Sequence, residues 1–168
     1  MLLVVAVLLF VAGGADLIAH AIAGPPVEVA GATVHPGSGW TVIRRGDQGV
    51  LHRLVLARGA EALDVTAIDG YDGNAEDLAR RYETSVLAGQ LDQLSVGDPE
   101  AGHLDDGTPT VRFPYIGITH DGVAVEGLVT TAVGSGGTGV VFDGFAPKGA
   151  LASVVGGLSA MIDRTEVR

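Results

Sequence analysis

The apolar positions of this chain follow three different patterns. From Met1 to Ala15 they are almost continuous; Asp16 and His20 then interrupt the run, and Pro25-Pro26 stops any helix. From Val27 to Ala67 they mostly alternate with polar or small residues, the period of a strand with one buried face. Val27 and Val29 with the turn Ala30-Gly31, Trp40 to Arg45, "GVLHRLVLARG" and "EALDVTAIDGY" all read as strands. The period then lengthens: Leu78, Tyr82 and Val86 recur every four residues behind Asn74, which stands at an N-cap position followed by Glu76 and Asp77. That predicts a helix over Ala75–Ala88. Strands are expected again near Leu94–Ala101, Thr110–Thr119, Val123–Val133 and Gly139–Phe145, with Asp121-Gly122 closing a hairpin. Pro114 marks its strand as an edge or the site of a bulge. The stripe Leu151, Val154, Val155, Leu158, Met161, Ile162 predicts a terminal amphipathic helix with Pro147 in its first turn. Gly156 and Gly157 imply close approach of that helix to the sheet. The order strands, helix, strands, helix is an α+β architecture: a mainly antiparallel sheet of about six to seven strands flanked by two main helices and preceded by an N-terminal hydrophobic helix.

The opening segment sets the expected location. Residues 1–23 read as a transmembrane anchor, or as a signal peptide cut after the small-x-small triplet Ala21-Ile22-Ala23. Asp16 and His20 lie one turn apart and can pair at the membrane interface. Residues 24–168 then form a single extracytoplasmic domain of ordinary size, tethered by one N-terminal membrane contact or secreted after cleavage.

Charge narrows the partners. The formal net charge is −10, and all ten Lys and Arg lie after residue 24. The sequence has no basic run, which argues against nucleic acid and against docking on anionic lipid. Cysteine is absent. That removes disulfides, thiolate metal sites and a thiol nucleophile.

Each apparent motif has a plainer explanation. "GSGGTG" at Gly134–Gly139 matches a dinucleotide fingerprint, but it lies between two strands where that site needs a helix to follow. Asp72, Asn74, Glu76 and Glu83 fall at calcium-loop positions, but Asp77 stands where the loop needs glycine. Asp105-Asp106-Gly107 reads as a solvated turn. His20, His35, His52, His103 and His120 show no ligand spacing, Ser38 lies in no nucleophile elbow, and no carboxylate pair stands out. No catalytic, cofactor or metal residue is expected, and the chain does not read as an enzyme. The candidate ligand or partner surface is aromatic: Phe113 and Tyr115 on one strand face, and Phe142 and Phe145 near a sheet end. These either face a shallow apolar groove or form core beneath a helix.

"HPGSGW", "GTPTVRFPYIGITHDG" and "TGVVFDGFAPKGAL" together resemble the PsbP-like α/β/α sandwich superfamily, over roughly Val27 to Val167. That superfamily includes the extrinsic PsbP subunit of photosystem II and a Ran-binding import factor; the pattern is most similar to small membrane-anchored actinobacterial proteins of unknown function. The resemblance implies an antiparallel sheet between helices and a non-enzymatic binding or assembly role. It transfers no catalytic or ligand residue. The expected partner is a membrane or envelope protein, and the alternative is a small apolar ligand such as a lipid.

Overall fold

The computed structural model describes residues 24–168. The expected anchor or signal segment, residues 1–23, lies outside the described residues. Among those described, no helix is long and apolar enough to cross a membrane.

Three strands follow one another through tight turns: β3 (Thr41–Gln48), β4 (Leu51–Arg58) and β5 (Glu61–Ile68). Before them, β1 (Val27–Val29) and β2 (Ala32–Val34) form a small hairpin. Gly49 and Gly59 open the two turns with φ of 62° and 58°, the glycine-first geometry that matches strand twist. Helix α1 follows: Ala75–Tyr82, a π-turn over Glu83–Leu87, and a last turn to Gln90. Its N-cap is Asn74, whose side chain accepts from the Asp77 N–H at 2.9 Å. The π-turn adds one residue to the apolar phase, so Leu87 is buried while Val86 is only half-buried.

The chain then adds β6 (Leu91–Val96), β7 (Glu100–His103), β8 (Pro109–Thr119), β9 (Ala124–Val133) and β10 (Gly139–Pro147). Strand β10 inserts between β5 and β9. The result is an eight-stranded antiparallel sheet in the order β3-β4-β5-β10-β9-β8-β6, with β7 also on β8. Helix α2 (Leu151–Asp163) and β11 (Glu166–Val167) close the chain, β11 joining β1 and β2 in a three-stranded sheet.

The main sheet is covered on both faces. One face packs Leu54, Leu56, Leu63, Val65, Val140 and Phe142 against α2 and the small sheet. The other packs Phe113, Tyr115, Val129, Val141 and Phe145 against Leu78, Tyr82 and Leu87 of α1. Each large side chain fully removed from water stabilises the fold by about 1.5–3 kcal/mol.

Four details differ from the sequence expectation. The strand near Leu94–Ala101 is two strands, broken at Gly97-Asp98-Pro99. Pro114 sits on an interior strand, not an edge. Its carbonyl accepts from Gly97, so its missing N–H faces the gap between β6 and β7, where no donor is needed. Pro147 ends β10, and α2 starts at Leu151, whose N–H donates to Glu126. Gly156 and Gly157 are exposed; the close approach of α2 is at Gly144, where a Cβ would lie 3.1 Å from Leu158.

Candidate functional site

Pairing register decides which side chains face α1. Val55 and Asp64 are opposite each other, as are Arg53 and Thr66, and Leu51 and Ile68. Asp64 in turn faces Asp143, and Thr66 faces Val141. On β3, Arg44 lies beside Val55 and Gly46 beside Arg53. The α1-facing positions of β3, β4 and β5 therefore mix polar residues (Arg44, Gln48, Arg53, Asp64, Thr66) with apolar ones, while those of β8, β9 and β10 are largely apolar. Helix α1 covers the apolar half. Beside it, over the mixed half, lies a groove of about 590 Å³.

The walls of the groove have a clear division. Arg44, Arg45, Gly46 and Gln48 line the β3 side; Tyr71, Leu78, Arg81, Tyr82, Ser85, Val86 and Gln90 line the α1 side. Leu51, Arg53, Asp64, Thr66, Ile68 and Val141 form the floor. Three of the ten basic side chains, Arg44, Arg53 and Arg81, belong to this face, against one acidic lining residue among the described residues, Asp64; Arg45 lies on the rim with its side chain on the opposite face of the sheet. Among the described residues neither Arg44 nor Arg45 is held in an ion pair. The Arg81 guanidinium lies over the Tyr71 ring, 5.8 Å from its centroid.

A buried polar chain supports the floor. Arg53 Nε donates to both Asp64 oxygens at 2.9 Å, and its Nη2 donates to Oδ2 as well. One strand further in, Tyr82 Oη donates to Asp143 Oδ2 at 2.8 Å and Tyr115 Oη donates to Oδ1 at 2.9 Å. Burial pushes the Asp143 carboxyl up to about 7; the tyrosine bonds and Arg53 oppose this, and the Asp64 charge adds to it. Burial, together with the Asp143 charge, also pushes both tyrosines well above their ordinary range, so they remain donors. Asp143 does not line the groove. Its proton is sealed beneath Tyr82, and what a ligand meets is the row of guanidinium groups. Such a row binds carboxylates and other anions by charge-assisted hydrogen bonds.

Phe113, Tyr115, Phe142 and Phe145 are all buried. Phe113, Tyr115 and Phe145 pack under α1, and Phe142 packs on the opposite face with α2. Tyr115 reaches the polar chain through its hydroxyl alone. Arg53, Asp64 and Asp143 were not singled out in the sequence, yet they leave a signal there. Each is a charged residue on a strand directly beside a fully buried apolar one: Leu54, Leu63 and Phe142 respectively.

The motifs of the sequence take structural places. Gly134 and Gly136 admit the backbone of Arg168: a Cβ on either would lie 2.7 or 2.8 Å from its carbonyl carbon. Asp106 Oδ1 accepts from the Thr108 N–H at 2.8 Å, closing the turn. Among the described residues no group of three or more His, Asp or Glu side chains is placed to hold a metal ion.

No family model and no curated protein matches the chain. Solved structures do. The cyanobacterial PsbP, CyanoP, of Synechocystis sp. PCC 6803 superposes with a TM-score of 0.64 at 16% identity, over 93% of this chain and 98% of that one. The Ran-binding protein Mog1p of Saccharomyces cerevisiae gives 0.55 at 13%, over 88% and 96%. A protein of unknown function from Pseudomonas aeruginosa, PA94, described as a putative regulator, gives 0.51 at 12%, over 83% and 93%. At these identities the likeness establishes the fold alone. The chain has the PsbP-like α/β/α sandwich fold.

Proposed function

We propose that this chain is a binding domain that engages another protein of the cell envelope through the groove between α1 and the β3–β5 half-sheet. The domain is held on the extracytoplasmic side of the membrane by residues 1–23, as in the small anchored actinobacterial proteins its sequence resembles, or is released by cleavage near Ala23. One observation carries the reading: an acidic chain sets three arginines, Arg44, Arg53 and Arg81, and a single acid around one groove, with Arg45 at its rim. A folded domain gains nothing in stability from gathering like charges at a surface, so the arrangement fits a ligand of opposite charge. Phe113, Tyr115 and Phe145 enter the proposal as the packed layer that holds α1 at its distance from the sheet, and Phe142 as core beneath the opposite face. The shared fold with a cyanobacterial PsbP and a Ran-binding protein supports binding over catalysis.

The test places a photo-crosslinking side chain at Ser85, in the groove, or at Ser153, exposed on α2, in the full chain in its native membrane. A discrete adduct from Ser85 and none from Ser153 is expected. Gly46→Phe should abolish that adduct: nothing lies within 4 Å of a Cβ at Gly46, so the ring fits without strain and fills the groove mouth. Equal adducts from both positions, or none from Ser85, overturn the proposal.

A second reading, a carrier of a small apolar ligand such as a lipid, draws on Leu51, Ile68, Leu78, Val86 and Val141 in the same groove. Native mass spectrometry after mild extraction then shows a copurified mass that Gly46→Phe removes; a bare chain mass refutes it.

A further inference from the structure

The groove opens at one side onto β3, and β3 is the outermost strand of the main sheet. All eight of its residues are exposed. Among the described residues only β4 pairs with it, so its outer edge offers free N–H and C=O groups. The two-residue turn Gly49-Val50 makes Gln48 and Leu51 a hydrogen-bonded pair. By the alternation of an antiparallel ladder, Asp47 and Arg45 then turn their N–H groups outward.

The centre of that edge is Arg44-Arg45. A second copy of the chain added antiparallel about the centre of this edge would set Arg44 against its own copy or Arg45 against its own copy, and either like-charge pair opposes self-pairing. The same two residues favour an acidic strand. Arg44 shares the α1-facing side with Arg53, and Arg45 points to the other side by alternation, so acids on either face of an added strand meet a guanidinium. Val42 and Ile43 are exposed beside them and offer apolar contact. The overall negative charge of the chain is screened beyond about 8 Å at physiological salt, whereas the arginines act at contact.

We infer that the partner presents an extended acidic segment, which adds to the free edge of β3 as a further strand and seats its carboxylates on Arg44 and Arg45, beside the mouth of the groove. This rests on the groove reading above and names the class of partner. Main-chain hydrogen bonds to the edge provide affinity, and the arginine row selects for acidic side chains.

The test uses the full chain in neutral detergent and three capped eight-residue peptides alternating Val with Glu, Gln or Lys. The Val-Glu peptide is expected to bind, and the amides of Arg45 and Asp47 to gain protection from hydrogen exchange. The double variant Arg44→Gln, Arg45→Gln should weaken that binding at least tenfold; both side chains are exposed, so the fold is retained. Equal binding of the Gln or Lys peptide, binding without protection at Arg45 and Asp47, or uptake of phosphatidylglycerol vesicles in place of the peptide overturns the inference. If the Ser85 probe still captures a protein while the Val-Glu peptide fails, the acidic-strand inference falls and the groove reading stands; if both fail, both fall.

Discussion

The two halves of the α1-facing side of the sheet are built on different rules. Over β8, β9 and β10 the inward positions are mostly apolar and buried: Phe113, Tyr115, Val125, Val129, Val141 and Phe145, with Thr131 and Asp143 the polar members, each hydrogen-bonded to α1. Over β3, β4 and β5 they include Arg44, Gly46, Gln48, Arg53, Thr66 and Asp64. The reason is dimensional. A helix about 10–12 Å across covers two or three strands spaced about 4.8 Å apart, and this face carries one helix. The opposite face has α2 together with the strands β1, β2 and β11. Where α1 stops, this face meets water, and there the sequence sets Arg44, Gln48, Arg53 and Thr66 among the apolar Leu51 and Ile68. The uncovered half of a core face is thus where this fold has room for a site.

The comparison breaks most visibly at the covered half. Phe113→Ala should destabilise the domain by about 3–5 kcal/mol, whereas Thr66→Ala, on the same face over the groove, should stay within about 0.5 kcal/mol, both read by chemical denaturation. Similar losses at the two sites would mean that the groove half is as tightly packed as the rest.

Asp143 supplies the next largest effect. Its carboxyl is raised from the unfolded value of 3.8 to about 7, so across that window the native state binds more protons than the unfolded chain. Stability therefore falls as pH rises from about 4 to about 7, by about 3–4 kcal/mol, and Asp143→Asn should flatten the slope. His52, raised chiefly by its bond to Asp47, and His120, raised chiefly by its bond to Asp92, contribute in the same direction as pH passes their folded values. The Asn variant retains their share and isolates that of Asp143. A wild-type slope unchanged by the substitution would refute the assignment.

Arg53→Ala sharpens the boundary between core and groove. It leaves buried Asp64 unpaired and opposite Asp143, at a cost of about 2–3 kcal/mol, less than for a fully enclosed pair because the guanidinium is a third exposed. Double substitution with Asp64→Asn should restore part of the loss. Asn74→Ala removes the α1 cap and should cost about 1 kcal/mol. Smallest of all, Gly46→Phe should change stability by no more than about 0.5 kcal/mol while closing the groove, because nothing packs there. A large loss would mean that the groove mouth is already filled.

Much of the architecture is legible in the order of residues. Period-2 alternation marks the strands, and Asn74 with its acidic first turn marks the start of α1. The stripe from Val154 to Ile162 marks the buried side of α2. These signals are local: strand pleat, helix pitch and cap geometry act over a few residues, so a single sequence records them. The departures are equally instructive. Pro114 is tolerated inside the sheet because β6 and β7 happen to break opposite it, and Gly144, not Gly156-Gly157, admits α2. Both facts depend on neighbours far away in the chain.

The site shows the same division. The sequence by itself determined the alternating strands, the two amphipathic helices, the acidic balance and the absence of cysteine chemistry. Read along the chain it has no basic cluster: Arg44-Arg45 and Arg80-Arg81 are pairs, and the other six basic residues, Arg53 among them, stand singly. The tertiary structure alone brought Arg44, Arg53 and Arg81 around one groove and set Asp64 opposite Asp143. Strand register and the limited width of α1 make those choices, and both are properties of long-range pairing that no short window of sequence contains.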